Sequence, residues 1–336
     1  LAPVIALSAT TFVLYGLANI GIVDFDRKLD FGRDLRMRVS VRLISLAGTV
    51  SAALLLRSYW ALVIGLALQA ALHAVASYIA HPYRPRFSLA KRRELLSVSN
   101  WMFLAYAGQV VHHQMERLVI GRTLTMELVG LYSVTKDLSS IFTQEIATAL
   151  NRVTFVTTAR ADQPMSENPS RIGTMVGAYA MITAPLGLGL AATAHDTVAV
   201  LLGSQWMGAA PLLQIVAPAS ALYAVYKVIA SSLQASGLAR AAALLTGAGA
   251  VGAGVALVGT AMMKGEVMAI AMAALGASAA LLATGTLFIA RVAQASALGI
   301  AMGILRPFAA AIAMLVVVRF ADPQSGTAVV DLLVTL

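Results

Sequence analysis

Ten apolar runs, separated by short polar segments, dominate this sequence and restrict what it can fold into. Each run is long enough to cross the hydrocarbon core of a bilayer as a helix, which takes roughly 20 residues. The chain has 336 residues, mean hydropathy of +0.82 and only 12% charged residues, about half the charge of a soluble domain. A large soluble helical protein is therefore excluded. No run alternates as a barrel strand would, so we predict an all-α, polytopic membrane helix bundle.

The expected spans follow one another closely along the chain, and an eleventh begins at residue 328. They are Ala2–Val23, Val39–Leu56, Trp60–Ala80, Leu95–Gly121, Leu128–Leu150, Ile172–Ala194, Ala209–Leu233, Ala241–Met263, Val267–Ala290 and Gly299–Phe320. Because the sequence starts and ends inside apolar runs, we expect it to be a piece of a longer protein.

The basic residues support this order of spans. Most of the 24 Lys and Arg residues fall in alternate loops, and the remaining loops hold only Arg57, Arg122, Lys264 and Arg319. By the positive-inside rule the basic side is cytoplasmic, which explains the net charge of +9 without a nucleic-acid partner. The longest basic loop, His81–Arg93, is predicted to be a cytoplasmic linker between two bundles. Asp24–Ser40 carries both signs of charge and is typical of an amphipathic segment on the membrane surface.

Five short segments resemble, in the same order, motifs of the polysaccharide transporter and O-antigen flippase families. They are Asp26–Phe31, Met115–Gly121, Val129–Val134, Leu201–Trp206 with Ala209–Pro211, and Gln234–Arg240. These families belong to the multidrug/oligosaccharidyl-lipid/polysaccharide exporter superfamily. Glu116 departs from the pattern, because the family usually has Asp there.

The resemblance implies a two-lobed, alternating-access exporter fold of fourteen spans, of which about three are missing before residue 1. Residues 1–80 would be three helices of the N-terminal lobe, 81–94 the linker, 95–290 the complete C-terminal lobe, and 291–336 two trailing helices. The implied activity moves a lipid-linked oligosaccharide of the undecaprenyl-diphosphate type across the bacterial inner membrane. It is not an enzyme activity and needs no cofactor. Membrane lipid and the polymerase or glycosyltransferase machinery are the other expected partners.

Such a substrate needs a wet, cationic cavity for its diphosphate, so basic residues in or near the spans are candidates for binding it. They are Lys136, Arg117, Lys227, Arg152 and Arg27. Lys136 ranks first, since it lies about 12 Å along its helix from Leu128 and cannot easily reach the interface. The alternative to substrate binding is that Asp137 neutralises the charge of Lys136 inside the protein. Arg117 could equally form a structural pair with Glu116, and both Arg117 and Lys227 could extend to the interface.

Acidic and histidine side chains inside the spans are candidates for coupling transport to an ion gradient. His112 and His113 precede Glu116 by four and three residues, so at least one shares its helical face. A buried His–Glu pair could relay protons, although a merely structural histidine is commoner. Asp137 and Glu145 form a second candidate site. Converging ligands for a metal ion are not evident.

Gly247, Gly249 and Gly252 fit the GxGxxG pattern of dinucleotide-binding proteins. They lie inside an apolar span with no preceding strand, so we expect close helix packing instead. Gly173 with Gly177, and Gly299 with Gly303, are expected to act in the same way.

Three other functions stay open. A multidrug or cation antiporter of the same superfamily would favour an acidic cavity, whereas three cations lie within spans here. A membrane-embedded glycan polymerase or ligase would need a sizeable periplasmic loop, and the longest one, His195–Gly208, is short and holds no Arg or Lys. A non-transporting scaffold of the assembly machinery is the third.

Overall fold

The computed structural model describes residues 2–28, 30–58, 60–85, 92–145, 148, 169–264 and 266–321. Within these ranges every regular element is helical, as the sequence predicts. The helices form two compact units, Leu1–Arg92 and Arg93–Leu336. The boundary between them falls inside the segment predicted as the linker, and each unit is described by itself.

In the described part of the first unit there are four α-helices, of which the third and fourth are the longest. They are α1 (Ala2–Gly16), α2 (Val23–Lys28), α3 (Phe31–Leu56) and α4 (Trp60–Ala80), with a 3₁₀ turn at Ile20–Ile22. The expectation of one continuous span over Ala2–Val23 is wrong, because the helix ends at Gly16. The chain then turns around Asn19, whose side-chain oxygen accepts a hydrogen bond from the backbone of Gly21.

The segment predicted to lie on the membrane surface is also largely helical, and its second part is continuous with the next span. Asp30 caps α3 by accepting a hydrogen bond from the backbone N–H of Arg33. This N-cap starts the helix at Phe31, eight residues before the expected span. Arg38 then donates to Asp34 at 2.9 Å, one turn earlier, which supports the first turns of the helix.

Asn19 joins the ends of α1 and α4. Its backbone N–H donates to Ser77 Oγ at 2.8 Å, and its side-chain amide donates to the carbonyl of Tyr83 at 2.7 Å. The residue is fully buried. The loop after α1 and the loop after α4 therefore lie at the same end of this unit, as the alternation of basic loops requires.

The second unit is built around α9, a helix that is buried along almost its whole length. Its helices are α5 (Arg92–Thr123), α6 (Met126–Ser140), α7 (Pro169–Ala192), α8 (Ala194–Leu201), α9 (Ala210–Ala235), α10 (Ala239–Lys264), α11 (Val267–Val292) and α12 (Ala297–Ala321). A π-helical turn, Ile141–Glu145, continues α6, and a 3₁₀ helix, Ser204–Ala209, precedes α9. Lys227 is the one charged residue of α9, and nearly all the other side chains of the helix are buried, which is typical of a helix surrounded by others. It packs against α6, α7, α10 and α11.

Two apolar layers hold the two ends of this unit together. The layer at the predicted cytoplasmic end joins the starts of α7, α10 and α12 to the ends of α9 and α11, through Val176, Leu245, Ile300, Leu233 and Ile289. The opposite layer joins the ends of α5 and α10 to the starts of α6, α9 and α11, through Ile120, Leu257, Tyr132, Leu212 and Ile270. Successive helices thus run in alternate directions, as successive spans must.

Glycines bring helices close together where the sequence suggested it. A Cβ on Gly177 would lie 3.3 Å from the carbonyl oxygen of Gly303, which joins α7 to α12. A Cβ on Gly108 would lie 3.2 Å from the backbone nitrogen of Gly247, which joins α5 to α10. In α10, Gly249 lies directly against Leu281 of α11, whereas a Cβ on Gly247 or Gly252 would meet nothing within 4 Å. The prediction of close helix packing is therefore confirmed at Gly249 and, through Gly108, beside Gly247, but not at Gly252.

Seven of the described helical segments are long and apolar enough to cross a membrane: α3, α4, α7, α9 with its preceding 3₁₀ turn, α10, α11 and α12. α1 and α6 are only 15 residues long, and polar residues reduce the hydropathy of the 32-residue α5. In the expected span Leu128–Leu150 the α-helix ends at Ser140 and a π-helical turn continues to Glu145. Of residues 146–150, only 148 lies within the described ranges. His195–Gly208, expected to be a loop, forms α8 and most of the 3₁₀ helix.

Candidate functional site

Two ion pairs join α5 to α6, and we call their four residues the charged cluster. Lys136 Nζ donates to Glu116 Oε2 at 2.7 Å, and Arg117 Nη2 donates to Asp137 Oδ1. The alternative pairings between sequence neighbours are wrong. Consecutive residues on a helix point about 100° apart, so each charge finds its partner on the other helix.

The Glu116–Lys136 pair is buried. The side chains are 3% and 10% exposed, and Tyr132 donates its hydroxyl to the same Glu116 oxygen at 2.9 Å. The two hydrogen bonds offset part of the cost of removing the carboxylate from water. Tyr132 lies in one of the family motifs, yet sequence reasoning gave it no role. Its position four residues before Lys136, on the same face of α6, was the available signal.

The Arg117–Asp137 pair lies at the surface of this unit, with its side chains 37% and 63% exposed. The side chain of Arg117 is therefore partly exposed, whereas that of Lys136 is enclosed with its partner Glu116. Among the two cations of the cluster, Arg117 is the accessible one. The sequence ranked Lys136 first from its depth along the helix, but depth does not reveal which neighbour covers a charge.

Histidine residues extend the cluster along α5. His112, one turn before Glu116, is buried and stacks on Tyr223 of α9 with ring centroids 4.5 Å apart. Its Nδ1 has no hydrogen-bond partner among the residues that the structure describes. His113 is half-buried and lies within electrostatic reach of Lys136, Arg117 and Lys227. The structure thus brings together four of the five residues proposed for ion coupling.

The cluster lies near the middle of the bundle. Lys136 is about 15 Å along α6 from Met126, and Glu116 is about 10 Å from the end of α5 at Thr123. Half of a 30 Å hydrocarbon core is about 15 Å. The charges therefore lie beside the apolar layer that contains Tyr132. Ionisable groups this far from the helix ends of a membrane bundle are costly and usually functional.

The remaining candidates lie elsewhere. Lys227 is half-buried on α9, and Arg27 is exposed on α2 in the first unit. Glu145 ends the π-helical turn, and its side chain lies outside the description, as does the whole of Arg152. Within the described ranges, no group of three His, Asp or Glu side chains could hold a metal ion.

Gln144, in the π-helical turn after α6, is a further residue that sequence reasoning did not single out. It is buried, and its amide nitrogen has no hydrogen-bond partner in the described part of the chain. π-helical turns are frequent at functional sites, and a buried amide without a partner is rare enough to need an explanation.

Comparisons with known proteins identify a family, a relative in sequence and a similar fold. The family model described as "Polysaccharide biosynthesis protein" matches residues 1–211. The succinoglycan biosynthesis transport protein ExoT of Rhizobium meliloti (strain 1021) is 26% identical over 194 residues, which cover 57% of this chain and 39% of ExoT. The lipid II flippase MurJ, solved in an inward closed conformation, is similar in fold with a TM-score of 0.59 at 12% identity.

The MurJ likeness covers 83% of this chain and 60% of MurJ, so the chain spans less than two thirds of the length of either relative. The relatives are named for transport and flipping, in agreement with the expectation of a transporter and not an enzyme. The helical architecture and the spans give a multi-pass protein of the inner membrane. With the family model matching more than half of its residues, the chain belongs to the polysaccharide biosynthesis protein family.

Proposed function

We propose that this chain, within its full-length protein, moves a lipid-linked oligosaccharide or polysaccharide precursor from the cytoplasmic to the periplasmic leaflet by alternating access. Family membership and the names of the two relatives support flipping of a lipid-linked precursor. The observation that carries the proposal is the charged cluster, whose Glu116 and Lys136 lie about 10 and 15 Å from the ends of their helices at Thr123 and Met126. Charge at that depth is costly, and transport of a charged headgroup is a reason to keep it.

Arg117 is the proposed contact for the diphosphate of the substrate. A guanidinium binds phosphate oxygens in a bidentate manner, and that of Arg117 is exposed at its unit's surface. Asp137 orients this guanidinium until the diphosphate replaces Asp137 as the partner of Arg117. Arg27 and Arg152 are proposed to attract the diphosphate at the cytoplasmic entrance, and Lys227 to add positive charge along its path.

Lys136 has a different proposed role, because Glu116 already neutralises it. Together with Tyr132, this pair fixes α6 against α5 while substrate binds at Arg117. Protonation of Glu116, with His112 as the neighbouring proton carrier, would free the Lys136 ammonium and loosen that contact. A proton gradient could in this way be coupled to the movement of the two lobes about the 81–94 linker. Asp137 and Glu145 remain proposed as a second coupling site.

Complementation of a flippase-null strain with the full-length gene tests the proposal. The strain would carry wild type, Arg117→Ala, Arg117→Lys, or the control Arg122→Ala at matched expression. Arg122 is an exposed arginine near the end of the same helix. Surface glycan and the intermediate retained in the cytoplasmic leaflet would both be measured.

We expect wild type and Arg122→Ala to restore surface glycan, and Arg117→Ala to accumulate the intermediate. Arg117→Lys should restore transport only partly, since it keeps the charge but loses the planar fork. Full rescue by Arg117→Ala would remove this residue from the substrate path but leave the flippase. Failure of wild type, combined with resistance to cationic dyes, would favour the antiporter.

A further inference from the structure

A groove of about 740 Å³ runs between α3 and α4 of the first unit. The residues that line the groove are three or four positions apart on each helix, so one face of each helix lines the groove. They are Arg33, Arg36, Met37, Ser40, Val41 and Ile44 on α3, facing Leu72, Val75, Ala76, Ile79 and Ala80 on α4. The groove is independent of the charged cluster in the second unit.

One end of the groove is basic. Arg33 is held by Asp30, with its Nε 3.2 Å from Oδ2. Arg36 donates its Nε to the backbone oxygen of Gly32 at 3.2 Å, and among the residues that the structure describes no carboxylate pairs with it. Asp30 offsets the charge of Arg33, and the residues lining the groove include no carboxylate, so Arg36 gives this end its net positive charge. The positive-inside rule assigns it to the cytoplasmic face.

The rest of the groove is apolar. Met37 and Val41 are buried at its floor, while Ile44, Val75 and Ile79 are exposed along its walls. Arg33 and Ile44 are eleven residues apart, about 16 Å along the helix. That length matches one leaflet of a hydrocarbon core about 30 Å thick. A basic end followed by an apolar channel one leaflet deep matches a phosphate headgroup and its acyl chain.

We propose that this groove binds an anionic phospholipid of the cytoplasmic leaflet, with its phosphate at Arg33 and Arg36 and an acyl chain along α3 and α4. Basic pockets between membrane helices on the cytoplasmic side bind such headgroups. The net positive charge of the groove favours an anionic over a zwitterionic lipid. The length of the groove favours an acyl chain that stays within one leaflet over a long polyprenyl chain. The inference does not rest on the proposed transport activity.

Native mass spectrometry of the full-length protein tests the proposal. The protein would be equilibrated with equal amounts of phosphatidylglycerol and phosphatidylcholine that carry the same acyl chains. Arg36→Gln removes the groove cation that lacks a carboxylate partner, and Arg42→Gln is the control. Arg42 is an exposed arginine on the same helix that does not line the groove. A third variant, Ala76→Phe, fills the apolar channel without changing charge.

We expect wild type and Arg42→Gln to retain phosphatidylglycerol preferentially, and Arg36→Gln to reduce that preference about fivefold. Ala76→Phe should reduce binding of both lipids. Equal preference in wild type and Arg36→Gln would overturn the proposal, as would displacement of phosphatidylglycerol by an equal amount of polyprenyl phosphate. An unchanged size-exclusion profile for each variant ensures that a loss of lipid is not a loss of fold.

Discussion

Replacing Glu116 by glutamine tests whether the buried ion pair holds α5 to α6. The change keeps the shape of the side chain and an acceptor for Tyr132, but it removes the negative charge 2.7 Å from Lys136 Nζ. Lys136 is 10% exposed, so its ammonium would lose its partner with little water to replace it. We therefore expect the variant to be substantially destabilised.

The size of the effect follows from the burial of both groups. Removing one partner of a buried pair costs about 3–5 kcal/mol, and the retained acceptor favours the lower end of that range. For a unit of this size, each kcal/mol lowers the melting temperature by about 2–4 °C, so we expect a decrease of roughly 6–12 °C. The exposed pair offers a contrast, because Asp137→Asn should cost less than about 1 kcal/mol.

Unfolding of the full-length protein in mild detergent, followed by tryptophan fluorescence, measures these changes. The double variant Glu116→Gln/Lys136→Met removes both charges at similar volume and should recover most of the lost stability. If Glu116→Gln stays within about 1 kcal/mol of wild type, the pair does not hold the helices together. A double variant no more stable than the single one would equally refute the reasoning, since the cost would then not come from an unpaired Lys136.

Two further substitutions test contacts that the fold depends on, and both use the same unfolding measurement. Gly187→Ala should destabilise the protein by about 1–3 kcal/mol, because the new Cβ would lie 2.5 Å from the Cβ of Ala221. Gly130→Ala is the control: its Cβ would meet nothing within 4 Å, so the change should stabilise α6. Equal effects of the two changes would contradict the close contact between α7 and α9. Asn19→Ala should cost about 1–3 kcal/mol, because it removes the donor to the carbonyl of Tyr83 and the cap of the 3₁₀ turn. An unchanged stability would show that this junction does not hold the ends of α1 and α4 together.

The sequence by itself determined the class of protein and the approximate extent of most long helices. Six expected spans agree with the structure within a few residues: Trp60–Ala80 with α4, and the five from Ile172–Ala194 onward with α7 and α9 to α12. Hydropathy summed over some twenty residues is a local property of the chain, so it requires no knowledge of neighbours. The glycine contacts were also foreseeable, because small residues at helical spacing have few other uses inside a membrane.

Local signals also existed for two errors at helix ends. Asp30 is a good N-cap residue, and it explains why α3 begins before its apolar part. Asn19 follows Gly16 closely, and this polar residue inside an apolar run marked the end of α1. Averaging hydropathy over a window obscures such single residues.

Only the tertiary structure decided how the charges pair and which of them stays accessible. Glu116 is next to Arg117 in the sequence, yet its partner is Lys136 on the neighbouring helix. The direction of each side chain follows from the helical period, but the neighbour it meets follows from which helices pack together and at what depth. Contacts between residues far apart in the chain therefore decide that Lys136 is covered and Arg117 partly exposed. Such contacts also decide that α3 and α4 together form a groove.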